Sequence, residues 1–178
     1  MENNSGYKRE DAYSTLENIN SWISNIDTKI SFALALVGVL VGNIFEKGVP
    51  QIFEKIAKYS KASELSGCDI LSSILIILIY IFSFSCIICF IFALIARVKN
   101  PNTNESIFFF GTIQNMNLQS YKDKVKHMSE NAILEDLEEQ IHTNSKICTK
   151  KVVWYNRGIK LLLITVVLWF ICCIFQIL

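Results

Sequence analysis

Charged and uncharged positions follow one another along this chain in blocks, and three of the uncharged blocks are long enough to cross a bilayer. The longest is Ile70 to Ala96, bounded by Asp69 and Arg97. Its 27 residues form a helix of roughly 40 Å at about 1.5 Å per residue. That exceeds a hydrocarbon core of about 30 Å, so the span tilts or runs into the headgroups. The final 18 residues, Leu161 to Leu178, carry no charge. The first run, Ile30 to Phe45, has 16 residues and contains Asn43 and two glycines, so its flanks must supply the missing length. A cleaved signal peptide needs a short basic lead and a small-residue cleavage site. Here 29 residues of mixed charge precede the run and Asn43-Ile44-Phe45-Glu46 follows it, which argues against cleavage. The pattern gives an amphipathic segment 1–29, a span 30–46, a connector 47–69, a second span 70–96, a polar region 97–158 and a third span 159–178.

The polar regions have their own periodicity. Tyr13, Leu16, Ile19, Ile23, Ile26 and Ile30 recur at steps of three and four, which predicts an amphipathic helix running into the first span. After the second span, Pro101 to Glu105 reads as a turn. Ser106 to Ile113, with Ile107-Phe108-Phe109-Phe110 inside it, reads as a short strand or an apolar plug. Asn117 can cap a helix that aligns Leu118, Tyr121, Val125 and Met128. Ser129 can cap a longer one with Leu134, Leu137, Ile141, Cys148, Val152 and Tyr155 as its apolar stripe. Its acids (Glu130, Glu135, Asp136, Glu138, Glu139) precede its bases (Lys146, Lys150, Lys151, Arg157), an order that complements the helix dipole and brings cations toward anionic lipid. Only Gly158 interrupts the path into the third span. The expected fold is an all-α membrane protein with three transmembrane helices. Two of them extend as cytoplasmic helical stalks, and a small cytoplasmic subdomain lies between spans two and three.

Charge sets the orientation. Thirteen Lys and Arg fall in the N-terminal tail and residues 97–160, against Lys47, Lys55, Lys58 and Lys61 in the connector. The positive-inside rule puts the tail and the 97–160 region in the cytoplasm and the C-terminus outside. Asp27, Lys29, Arg97, Arg157 and Lys160 mark the membrane boundaries. Hydrophobic residues make up 52% of the chain, above the soluble average of about 45–50%. The net charge of +1 gives no field that would attract a nucleic acid polymer. Six cysteines (Cys68, Cys86, Cys89, Cys148, Cys172, Cys173) are scattered over runs and loops and read as small hydrophobes.

Stripes exposed to water demand partner helices, from the same chain or from a neighbouring copy, and a homo-oligomer is expected. Ser31, Ala35, Gly38 and Gly42 share one face of the first span, and Gly38 to Gly42 is a small-xxx-small contact for close helix packing or self-association. Little else suggests chemistry. No glycine loop cradles phosphate, and His127 and His142 have no partners at ligand spacing. Glu135-Asp136 and Glu138-Glu139 read as a solvated helix face. Cys86 and Cys89 have redox spacing but sit within a span, where packing is the better reading. No Asp, Glu, Lys or Arg lies inside the uncharged runs 30–45, 70–96 and 161–178 to mark an ion route. The chain reads as a non-enzyme with no catalytic residues, metal site or cofactor.

A set of degenerate motifs falls in order around these spans. Asp27-Thr28-Lys29 abuts the first, and Phe108-Phe109-Phe110-Gly111-Thr112-Ile113 follows the second. Asp136-Leu137-Glu138-Glu139-Gln140-Ile141 then leads through Ser145 to Lys151 into the third. From about Asn18 to Phe175 the chain resembles the transmembrane effectors of Pycsar, the bacterial pyrimidine-cyclase antiphage system. The resemblance implies a multi-pass protein of the bacterial inner membrane whose functional partner is a pyrimidine nucleotide cyclase. The cyclase product, cyclic CMP or cyclic UMP, would be the activating ligand, and the response would impair the membrane and abort infection. Such a ligand needs cations or backbone N–H groups for its phosphate and an aromatic surface for its base. Phe109, Phe110 and Tyr121 are the candidate aromatics; Lys146, Lys150 and Lys151 are the candidate cations. Core packing for the phenylalanines and lipid contact or solvation for the lysines are the plainer alternatives. Two other functions stay open: a three-span effector triggered by another nucleotide or a protein, and a non-killing membrane adaptor.

Overall fold

The computed structural model describes residues 6–45, 53, 57, 66–96 and 106–177. Boundary residue Arg97, the turn at Pro101 to Glu105 and the four connector lysines lie outside the described residues. Among the described residues five helices are bounded, in order: α1 (Arg9–Phe45), α2 (Gly67–Leu94), α3 (Phe110–Ile113), α4 (Leu118–His127) and α5 (Glu130–Ile174). No strand occurs among the described residues. The strand reading of Ser106 to Ile113 is therefore corrected to a turn followed by the single helical turn α3.

Local chemistry starts the helices where capping residues stand. Asn117 Oδ1 accepts the Ser120 N–H at 2.8 Å to open α4, and Ser129 Oγ accepts the Ala132 N–H at 3.2 Å to open α5. Helix α2 begins at Gly67, ahead of the Ile70 expected from the loss of charge. Ser66 Oγ accepts the Asp69 N–H at 3.2 Å, and Asp69 Oδ2 accepts the Ser66 N–H at 3.4 Å. This reciprocal box satisfies two of the amides that a helix start leaves unpaired. Asp69 therefore belongs to the helix rather than to the connector.

Helices α1, α2 and α5 are each long and apolar enough to cross a membrane. Helices α1 and α5 each exceed what a bilayer needs. Their 37 and 45 residues correspond to roughly 55 and 68 Å. Gly158 sits within α5 without breaking it.

The described residues fold as two compact units. One comprises Met1–Ile26 and Ala96–Lys151, the other Asp27–Ile95 and Val152–Leu178. Both α1 and α5 contribute residues to each, and in α5 the division follows Lys151 instead of Gly158.

In the spanning unit, α1 buries Ile30, Ala33, Val37, Leu40 and Ile44, and α2 buries Ser73, Ile76, Ile79, Ser83, Cys86, Phe90 and Ala93. Helix α5 buries Leu162, Thr165 and Cys172. Steps of three, four and seven along each helix put these buried residues on one face. At Gly158, α2 and α5 approach closely. A Cβ there would lie 2.6 Å from the fully buried Phe90 ring, and the Cys86 thiol donates to the Gly158 carbonyl at 3.3 Å. Phe92 against Trp154 (5.0 Å between centroids) and Phe90 against Tyr155 (6.2 Å) extend the contact. The opposite faces expose Phe32, Leu36 and Val39 on α1, Ile74, Ile77, Ile81 and Phe84 on α2, and Leu163, Val167 and Phe170 on α5. Apolar surface on that scale is untenable in water and ordinary in lipid.

Candidate functional site

The other unit carries the candidate site, built where the Ser106–Phe109 turn meets α5. Ser106 is buried and its hydroxyl oxygen accepts the N–H groups of Phe108 (3.0 Å) and Phe109 (3.2 Å). The Gln140 side-chain amide donates to that same oxygen at 3.3 Å. The Thr112 hydroxyl donates to the Ser106 carbonyl at 2.6 Å and lies 2.9 Å from the Phe109 carbonyl. Asp136, only 6% exposed, takes the Ile107 N–H on Oδ2 at 2.9 Å. Its Oδ1 is buried and has no hydrogen-bond partner among the described residues. A short aromatic segment with no helix or sheet to satisfy its amides is thus held by one serine and two polar side chains on α5, as buried N–H groups require.

Apolar contacts complete the frame. Ala12 and Leu137 are fully buried, and Ile19 and Ile107 nearly so. The Tyr13 ring meets Phe108 edge-on at 5.8 Å and 84°. Asn144 donates to Asn20 across α5 and α1 at 2.9 Å. Gly111 makes room for Phe109, whose ring carbon would lie 2.5 Å from a Cβ at that position. The Phe109 and Phe110 rings stand 4.9 Å apart, and Phe110 is 70% exposed.

The expected ligand residues all belong to this unit, in different settings. Phe109 and Phe110 form one aromatic surface, and Tyr121 is half-buried on α4. Lys146 and Lys150 are exposed, one helical turn apart on α5, whereas Lys151 is buried. The three lysines therefore do not present one cationic face. Asp136 corrects the reading of the acidic run as wholly solvated: Glu135 and Glu138 are exposed, but Asp136 is a buried acceptor. Sequence reasoning missed Asp136 and Gln140 as a pair. Their spacing of four, which puts both on one face, was the available signal.

Among the residues expected at the membrane boundaries, Asp27 is half-buried with its carbonyl accepting the Ser31 hydroxyl at 2.9 Å, and Lys29 and Lys160 are exposed. The Arg157 guanidinium lies over the Trp154 ring at 4.8 Å, a cation–π pair of the kind found at membrane interfaces. Ser31, Ala35, Gly38 and Gly42 are all exposed, and a Cβ on either glycine would meet nothing within 4 Å. Among the described residues, packing therefore uses the opposite face of α1.

Comparison with known proteins places this architecture. No solved structure matches the chain. The Pycsar effector protein GmPycTM of Gulbenkiania mobilis is 33% identical over 178 residues, covering 92% of this chain and 90% of its relative. The Pycsar effector protein domain, PycTM, matches residues 11–178, which takes in α1, α2, the Ser106–Thr112 turn and all of α5. Three membrane-length helices with a polar unit built on two of them are thus found in a chain that belongs to the PycTM family of Pycsar effectors.

Proposed function

We propose that this chain is a non-enzymatic antiphage effector activated by cyclic CMP or cyclic UMP from a partner cyclase. On activation it impairs the bacterial inner membrane and aborts infection. The unit of Met1–Ile26 and Ala96–Lys151 is its cytoplasmic sensor, and the C-terminus lies outside. The Phe109–Phe110 surface takes the base, and Lys146 and Lys150 neutralise the phosphate.

The observation that carries this reading is the identity of α1 and α5 as single helices serving both units. An α-helix is a hydrogen-bonded rod. A ligand that shifts the sensor end of either helix must move or rotate the part that packs in the spans. The signal then needs no catalytic step, only a difference in ligand affinity between two packings.

The test is to express the chain with a pyrimidine cyclase, or supply the nucleotide to membrane vesicles, and follow potential with a voltage-sensitive dye. Depolarisation with cyclic CMP or cyclic UMP, absent with cyclic AMP, is the expected result. An unchanged potential with both pyrimidine nucleotides would sink the reading.

A further inference from the structure

Two side chains of α5 hold the aromatic turn, and one of them uses only half of its hydrogen-bonding capacity. Asp136 is 6% exposed, and its Oδ2 accepts the Ile107 N–H at 2.9 Å. Its Oδ1 is buried as well, yet no hydrogen bond reaches it among the described residues. Gln140, one helical turn on, donates to the Ser106 hydroxyl oxygen, which also takes the Phe108 and Phe109 N–H groups. The amides of Ile107, Phe108 and Phe109 are therefore committed elsewhere and none of them meets Oδ1. A buried acceptor left without a donor costs free energy, which a donor from outside the chain would recover.

We propose that Asp136 Oδ1 reads the base of the activating nucleotide by accepting an N–H from its pairing edge, the 4-amino group of cytosine or the N3–H of uracil. Resting on the nucleotide reading above, this gives the base a partner at its edge as well as at its face. Stacking on Phe109 and Phe110 suits any base, because every base has a π face, so choice has to come from the edge. A site with an acceptor for that N–H rejects a base lacking it, because the buried oxygen then stays unpaired. Asp136 belongs to the same network as the rings: it holds Ile107, two residues before Phe109, whose ring stands 4.9 Å from that of Phe110. Lys146 lies ten residues further along α5, roughly 15 Å of rise. Helical side chains lean back toward the N-terminus, which brings this cation closer to Asp136. One helix thus carries an acceptor for the base and a cation for the phosphate. Because Oδ1 is sealed in this packing, the base reaches it only when the turn lifts or α5 rotates. Binding then selects a second packing of the helix that continues into the spans.

The test measures binding of cyclic CMP, cyclic UMP and the cyclic nucleotide of 2-pyrimidinone to the full-length protein in detergent, by calorimetry. The 2-pyrimidinone base keeps the ring but lacks both the 4-amino group and the N3 proton. Its affinity is expected to fall roughly 10- to 100-fold below that of the tighter natural nucleotide, the range for one hydrogen bond to a charged group. Asp136→Asn keeps an oxygen for the Ile107 N–H and turns the free acceptor into a donor. In that variant the ratio of natural to analogue affinity is expected to drop to one or lower. Loosening of the turn would weaken both nucleotides alike, so the ratio reports the edge contact by itself. Equal affinities in the wild-type protein overturn the assignment and leave the effector reading standing. A ratio that survives Asp136→Asn does the same, because another group then reads the edge. Binding of neither natural nucleotide by the wild-type protein overturns the effector reading and the assignment with it.

Discussion

Single side chains decide whether the aromatic turn exists. Asp136 is buried not to make an ion pair but to accept one backbone N–H that no secondary structure satisfies. Asp136→Ala should destabilise the Met1–Ile26 and Ala96–Lys151 unit by about 1.5–3 kcal/mol, the range for a hydrogen bond to a charged group. Faster hydrogen exchange at Ile107 to Phe109 in the full-length protein would report it, and unchanged exchange would show the bond to be dispensable. Gly111 makes a second case. Gly111→Ala puts a methyl where the Phe109 ring lies, so the ring must leave its partner Phe110, at a cost of about 1–3 kcal/mol. If that aromatic pair receives the base, this variant needs more nucleotide for the same depolarisation. Nucleotide titration of membrane potential measures the difference.

Two glycine positions on different helices separate folding from assembly. Gly158 is a contact position, where any side chain meets the buried Phe90 ring. Gly158→Leu should lower protomer stability by about 1–3 kcal/mol through overpacking, seen as a lower midpoint of thermal unfolding in detergent. Gly38 faces open space within the chain. Gly38→Leu should leave that midpoint unchanged or raise it slightly, since leucine favours helix by up to about 1 kcal/mol over glycine. If the Ser31, Ala35, Gly38 and Gly42 face joins copies, the same variant lowers crosslinked oligomer yield. Loss of protomer stability in Gly38→Leu would show that the face packs within the chain instead.

For the whole molecule, the continuity of α5 can be cut without touching the proposed ligand residues. Val153 is exposed on that helix just past the division between units. Proline there removes a backbone hydrogen bond and clashes with the preceding turn, costing about 3 kcal/mol locally. Val153→Pro should retain nucleotide binding while losing depolarisation. If both survive, α5 is not the route by which the sensor reaches the spans.

Much of this architecture was readable from sequence because it depends on interactions close along the chain. Loss of charge over bilayer length marks the three spans, and Asn117 and Ser129 cap the helices they were expected to cap, because a cap bonds to amides two or three residues away. The step of three and four from Tyr13 to Ile30 lies within a single helix for the same reason. What only the tertiary structure decided was which face of each helix meets a partner. On α5 the apolar stripe predicts Leu134, Leu137 and Ile141 inside, yet of these only Leu137 is fully buried, and the polar Asp136, Gln140, Thr143 and Lys151 are buried as well. Part of the reason lies more than 25 residues away in sequence: the turn at Ser106 to Phe109 presents hydroxyl and amide groups instead of hydrocarbon, so α5 turns Asp136 and Gln140 toward them. The turn and its helix partner depend on how distant segments meet, and hydropathy along a chain carries no record of that.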